Sequence, residues 1–95
     1  MNTPKAERVF EKAIDTYGPE LQQVVAIEEL SELQKEISKM IRGKGSIIHL
    51  VEEIADVKIM LKQLMMIHEI SDKEVNDEII FKVLRLNEHL NHENE

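Results

Sequence analysis

The sequence predicts an all-α protein: a four-helix-bundle-like fold around a central antiparallel helical hairpin. Apolar residues recur three and four positions apart through four segments, and no segment shows the apolar–polar alternation of a half-buried strand. The three Gly and two Pro lie near the ends of these segments, where such residues begin and end helices. A chain of 95 residues has room for one domain, 1–95, whose small core would gain from association between chains.

Proline and glycine delimit the first two predicted helices. Thr3 is a candidate N-cap followed by Pro4 at the first helical position, and this helix is expected to end near Gly18. Pro19 opens a second helix whose apolar residues keep helical spacing as far as Ile41. The two glycines that follow are expected to end it and to reverse the direction of the chain.

Serine residues open the third and fourth predicted helices. Ser46 is a candidate N-cap for a helix that runs through about Ile70. The segment Ser71–Glu74 has the pattern of a capping box, with Glu three positions after the capping Ser. The last residues, Asn91–Glu95, are polar and predict a frayed end.

Composition excludes several classes of partner. The net charge of −7, from 12 basic and 19 acidic residues, argues against binding a nucleic-acid polymer, and three aromatic residues provide no platform for stacking bases. There is no cysteine for a disulfide framework, no signal-peptide pattern and no apolar run of the roughly 18 residues that would span a membrane. We expect a soluble, cytoplasmic protein that binds no membrane.

One acidic pattern occurs twice, at residues 28–32 and 52–56. Residues three apart on a helix lie on one face, so Glu29 pairs with Glu32 and Glu53 pairs with Asp56. An antiparallel hairpin brings both pairs to one groove, where four carboxylates repel one another unless a cation lies among them. Such a pair alone is commonly a solvated helix flank, but two matched pairs on adjacent helices predict a divalent-metal site.

The third predicted helix is apolar on more than one side. Glu53 and Asp56 share a stripe with Met60, so the row of acids continues as apolar residues rather than as further charge. We therefore expect these carboxylates to be at least half buried. An all-oxygen ligand set suits Mg²⁺ or Mn²⁺, and the chain has no Glu-x-x-His pair of the kind that helical di-iron sites use. His49, one turn before Glu53, is placed to approach the groove.

The pattern Glu28-Glu29-x-x-Glu32, 20 further residues, then Glu53-x-x-Asp56 resembles the signature of the MazG-like, all-α nucleoside triphosphate pyrophosphohydrolases. The resemblance implies that Glu29, Glu32, Glu53 and Asp56 bind Mg²⁺, whereas Glu28 points away by helical angle and is assigned a structural role. It also implies a nucleoside triphosphate substrate, cleavage between the α- and β-phosphates, and a homodimer or homotetramer with active sites completed between subunits.

Two further roles follow from that resemblance. A carboxylate whose pKa is raised by its neighbours could accept a proton from the attacking water, with Glu32 and Glu53 as the candidates. Basic residues on the last helix would contact the triphosphate, which makes Lys82 and Arg85 candidates together with His49. Lys82 and Arg85 are equally consistent with ordinary surface charge.

Two non-catalytic alternatives compete with the enzyme. One is a helical interaction module, such as a regulatory adaptor, whose acidic stripes bind a basic partner. The other keeps the fold and the metal site but senses nucleotides without hydrolysing them. Buried carboxylates at Glu53 and Asp56 favour a metal site over an adaptor, because a surface adaptor has no need to bury them.

Overall fold

The computed structural model describes residues 4–93, and all of their regular structure is helical. The helices are α1 (Pro4–Tyr17), α2 (Pro19–Ile41), α3 (Ile47–Ile67) and α4 (Asp72–Glu93). The predicted all-α class is therefore confirmed. The predicted N-cap at Thr3 lies outside the described residues. None of the helices in the described part is long and apolar enough to cross a membrane.

The turn between α2 and α3 forms the predicted hairpin. Gly43 has a φ of 72° in the left-handed region, and Lys44 N donates to Lys39 O at 2.9 Å, which closes the end of α2. A Cβ atom on Gly45 would lie 2.9 Å from Met40 Cα, so the return of the chain past α2 requires glycine. Ser46 then caps α3 as predicted, because its Oγ accepts a hydrogen bond from the backbone N–H of His49 at 3.5 Å.

The third helix ends three residues earlier than predicted, at Ile67 rather than near Ile70. Glu69 takes a left-handed φ of 55°, and Ile70 N donates back to Met65 O at 2.9 Å. The predicted capping box opens α4: Ser71 Oγ accepts from the backbone N–H of Glu74, whose carboxylate accepts from the Ser71 N–H, both at 3.1 Å.

The fourth helix extends further than predicted and stands apart. It remains helical through Glu93, so the expected fraying from Asn91 is wrong for the described residues. Within residues 4–93, α1, α2 and α3 pack on one another, whereas α4 packs against none of them. Lys62 Nζ lies 3.5 Å from Asp72 Oδ2 at the first residue of α4 and 3.6 Å from Glu7 Oε1 of α1. The four predicted helices are present, and the described residues are consistent with the predicted all-α bundle, in which α1, α2 and α3 form the packed part.

The α2–α3 contact follows a seam of residues alternately three and four apart, as in a coiled coil. The seam positions on α2 are Gln22, Ala26, Glu29, Leu33, Glu36 and Met40, all buried or half-buried. On α3 they are Leu50, Glu53, Val57, Met60, Leu64 and Ile67, likewise buried or half-buried. The acids are therefore part of the contact between the two helices, which is where a coiled coil normally places apolar residues.

The more apolar stripe of α2 faces outward instead. The sequence predicts a core face on α2 at Leu30, Leu33 and Ile37. Leu33 is half-buried at the seam, but Leu30 and Ile37 are exposed in the single chain, as are Ile27 and Ile41. An equally exposed apolar row runs along α3 at Ile47, Val51, Ile54 and Leu61. Both rows lie about a quarter turn from the seam in the same rotational sense, so they form one side of the hairpin. We call this side the apolar face.

Candidate metal centre

A buried pair of glutamines sets the register of the hairpin. Gln22 Nε2 donates to Gln63 Oε1 at 2.7 Å, and both side chains are buried. Both helices rise by the same distance per residue. In an antiparallel pair, seven residues forward along α2 and seven residues backward along α3, about two turns each, therefore lead from one facing pair of residues to another. Such a step leads from Gln22 to Glu29 and from Gln63 back to Asp56. Three residues further, the same register sets Glu32 opposite Glu53.

Three carboxylates converge at this level of the hairpin. Glu29, Glu53 and Asp56 each offer an oxygen, and these three atoms lie within 4.8 Å of one another. Glu29 and Glu53 are half-buried at the seam, which confirms the predicted burial of Glu53. Asp56 is exposed on the opposite side from the apolar face, so the burial predicted for it is wrong. We call these residues the carboxylate triad. Its opening to solvent on the Asp56 side leaves a route by which a cation or a substrate can enter.

The triad raises the pKa of two of its members. Partial burial is the main cause for Glu29, followed by the charges of Asp56 and Glu53, with a hydrogen bond to Asp56 and the Glu32 charge adding to it. The pKa of Glu53 is raised by burial first, and then by the charges of Asp56, Glu32 and Glu36. Without a cation, proton uptake by Glu29 and Glu53 lowers the repulsion among these carboxylates.

The donor set fits a hard divalent cation. Glu53 Oε2 is buried, and no hydrogen-bond partner for it exists among the described residues. A buried carboxylate oxygen without a partner is unfavourable, and a cation next to it would offer the compensation that residues 4–93 do not supply. Oxygen donors close together and open to water on one side match the way Mg²⁺ binds, through one or two carboxylates with water in the remaining positions.

The other predicted acids lie around the triad. Glu32 is exposed and outside the group of three converging oxygens, although its charge acts on both Glu29 and Glu53. Glu28 is exposed as well. Of the four predicted ligands, the fold thus brings three together and leaves Glu32 at the edge.

Two of the predicted substrate-binding residues, Lys82 and Arg85, lie on a helix that does not pack on the hairpin within one chain. Lys82 Nζ lies 3.8 Å from Glu78 Oε1, and the Arg85 guanidinium lies over the Phe81 ring at 5.9 Å from its centroid. Both are on α4, which packs against neither helix of the hairpin. His49 is exposed at the start of α3, one turn before Glu53.

Sequence reasoning gave no role to Glu36, which the fold buries at the seam. Only 8% of its surface is exposed. Its Oε1 accepts from Lys39 Nζ at 3.3 Å, while its Oε2 is buried with no hydrogen-bond partner in the part of the chain that the structure describes. The spacing carried a signal, because Glu36 follows Glu29 by seven residues, the repeat of a helical seam.

Comparison of the chain with protein-family models, with curated proteins and with solved structures finds no match in any of the three.

Proposed function

We propose that this chain is a MazG-like, Mg²⁺-dependent nucleoside triphosphate pyrophosphohydrolase, which converts a ribo- or deoxyribonucleoside triphosphate to the monophosphate and pyrophosphate. The observation that carries the proposal is the carboxylate triad: three acids from the two matched motifs meet at one level of the hairpin. Mn²⁺ is an alternative cation with the same ligand preference.

Glu29, Glu53 and Asp56 are the residues that would hold the cation, with Glu32 at the edge of the site. Mg²⁺ would supply charge compensation for the triphosphate and would acidify water. Glu32 is the better of the two candidate bases, because it lies at the edge of the site and outside the group that would hold the cation, whereas Glu53 would be a ligand of that cation.

The proposed reaction needs one proton acceptor. The water oxygen attacks the α-phosphorus, the bond from that phosphorus to the bridging oxygen breaks, and pyrophosphate leaves with the electron pair of that bond. Glu32 takes the proton that the water loses.

We propose further that the working form is a homo-oligomer. The chain exposes 7745 Å², whereas a compact monomer of 11.1 kDa exposes about 5,700 Å². The excess of about 2,000 Å² per chain matches the roughly 1,000 Å² or more that each copy contributes to an obligate homodimer. The radius of gyration, 16.6 Å, also exceeds the roughly 12 Å expected for a compact domain of this length.

Two exposed surfaces suit a second copy of the chain. One is the apolar face of the hairpin. The other is a stripe on α4, formed by Ile79, Val83, Leu86 and Leu90 at steps of four, three and four residues. If α4 packs on another copy, Lys82 and Arg85 could contact the triphosphate only in the site of that copy. Sedimentation or light scattering should therefore find dimers or tetramers, and a monomer at micromolar concentration would contradict this part of the proposal.

Pyrophosphate release from a panel of ribo- and deoxyribonucleoside triphosphates with Mg²⁺ tests the activity. Glu53→Gln keeps the shape of the side chain but removes a carboxylate that would hold the cation, and it should lower turnover by about 100-fold or more. Glu28→Gln is the matched control on the same hairpin, and it should retain turnover because Glu28 is exposed and outside the triad.

The other outcomes discriminate between the alternatives. Metal binding without turnover on any nucleotide would refute the enzyme and favour a nucleotide sensor. Absence of both metal binding and turnover would remove the metal site, and the exposed apolar surfaces would then favour an interaction module.

A further inference from the structure

We propose that the hairpin groove holds a second divalent cation between Glu36 and Glu53, next to the cation assigned to the carboxylate triad. This inference rests on the proposed function, since it extends the same metal centre by one helical turn toward the α2–α3 loop. The cation would be Mg²⁺ or Mn²⁺, because both donors are carboxylate oxygens.

The first support is an unusual pair of buried atoms. Glu36 Oε2 and Glu53 Oε2 are the buried side-chain oxygens or nitrogens of residues 4–93 for which the structure gives no hydrogen-bond partner. A carboxylate oxygen removed from water without a partner is strongly unfavourable. The side chain of Glu36 is about nine-tenths buried, so water at the surface does not offset that cost.

The second support is the position of Glu36 in the groove. It occupies a seam position on α2, four residues after Glu32, about 6 Å further along the helix. In the register given by the glutamine pair, Glu32 lies opposite Glu53. Four residues further along α2, Glu36 lies opposite position 49, one turn before Glu53 on α3. Glu36 therefore points toward α3 from a neighbouring turn, and its charge acts directly on Glu53.

Lys39 pairs with only one of the two carboxylate oxygens of Glu36. Its ammonium contacts Oε1 at 3.3 Å, at the more exposed edge of the groove, and leaves Oε2 unpaired. A cation held by Oε2 would complete the charge balance from the inner side. A second cation close to the first would supply further charge compensation for the attacking and leaving oxygens of a displacement.

Counting bound Mn²⁺ on the metal-free full chain tests this inference. Electron paramagnetic resonance should find two Mn²⁺ per wild-type chain, one per chain in Glu36→Gln and two in Glu28→Gln, the matched surface control. The wild type should also show the dipolar broadening of a close Mn²⁺ pair, and Glu36→Gln should lose it. Lys39→Gln removes a competing positive charge, so it should tighten the weaker Mn²⁺ site several-fold without changing the number.

The outcomes separate this inference from the proposal on which it rests. One Mn²⁺ per wild-type chain, unchanged in Glu36→Gln, would overturn the second site and leave the triad intact, with Glu36 acting only as the partner of Lys39. No bound Mn²⁺ in the wild type would overturn the metal centre altogether. Should Glu36→Gln fail to fold, the wild-type count and the Lys39→Gln affinity decide the question.

Discussion

Replacing Leu30 with Ala on the apolar face is expected to weaken self-association, whereas replacing Leu21 with Ala is expected to leave it unchanged. The two leucines make a matched pair: both are on α2, and in the single chain their exposed fractions are 46% and 50%. Leu30 lies on the apolar face, and Leu21 lies about half a turn away around the helix. Any loss of stability within the single chain should therefore be similar for the two variants.

The size of the effect follows from the exposed fraction. Complete burial of a leucine side chain contributes about 1.5–3 kcal/mol, and nearly half of Leu30 remains to be buried, which gives about 1 kcal/mol per copy. A two-fold interface uses the residue twice, so the dimer loses about 2 kcal/mol, equivalent to about a 30-fold rise in Kd.

Fluorescence-detected sedimentation velocity over a dilution series from micromolar to nanomolar measures this Kd. The wild type and Leu21→Ala should dissociate over the same concentration range, and Leu30→Ala should dissociate at about 30-fold higher concentration. Equal shifts in the two variants would refute the assignment of the apolar face as the interface. A fully monomeric wild type would refute self-association itself.

Two other predictions concern charge and the buried amide pair. In the absence of metal, Glu53→Gln should be more stable than the wild type at neutral pH, because the raised pKa means that the folded state resists ionisation of Glu53. The folded state binds more protons than the unfolded state between the ordinary pKa of 4.5 and the raised value, so wild-type stability falls as pH rises through this window. The advantage of Glu53→Gln should accordingly vanish below about pH 4.5, as followed by thermal unfolding with a chelator, and an advantage independent of pH would contradict the assigned cause. Gln63→Ala should lower the free energy of unfolding by about 1–3 kcal/mol, because it leaves the buried Gln22 amide unpaired. Replacing both Gln22 and Gln63 with Leu should lower the free energy of unfolding much less, because no unpaired polar group remains. Urea denaturation at fixed protein concentration measures both variants, and an unaffected Gln63→Ala would show that the pair does not set the register.

The helices themselves were predictable because their signals are local. Proline at the first turn, a serine cap, the capping box and the paired glycines each act through neighbouring residues, and the structure has helices where these signals lie. The end of α3 was missed because its left-handed residue is Glu69, which has no sequence signature comparable to glycine. Convergence of Glu29, Glu53 and Asp56 was also predictable, since equal spacing in two adjacent antiparallel helices keeps matched residues opposite each other.

By itself, the sequence determined four helices, one hairpin and a cluster of acids between its arms. Tertiary structure decided which stripe of each helix lies inside. The seam takes Gln22, Glu29, Glu36 and Glu53, while the more apolar stripe of α2 faces outward. Periodicity specifies that a helix has an apolar side, but it does not specify whether that side is covered by the same chain or by another. That choice depends on packing across the hairpin, and it is why the position of α4 and the burial of Glu36 emerged only from the folded chain.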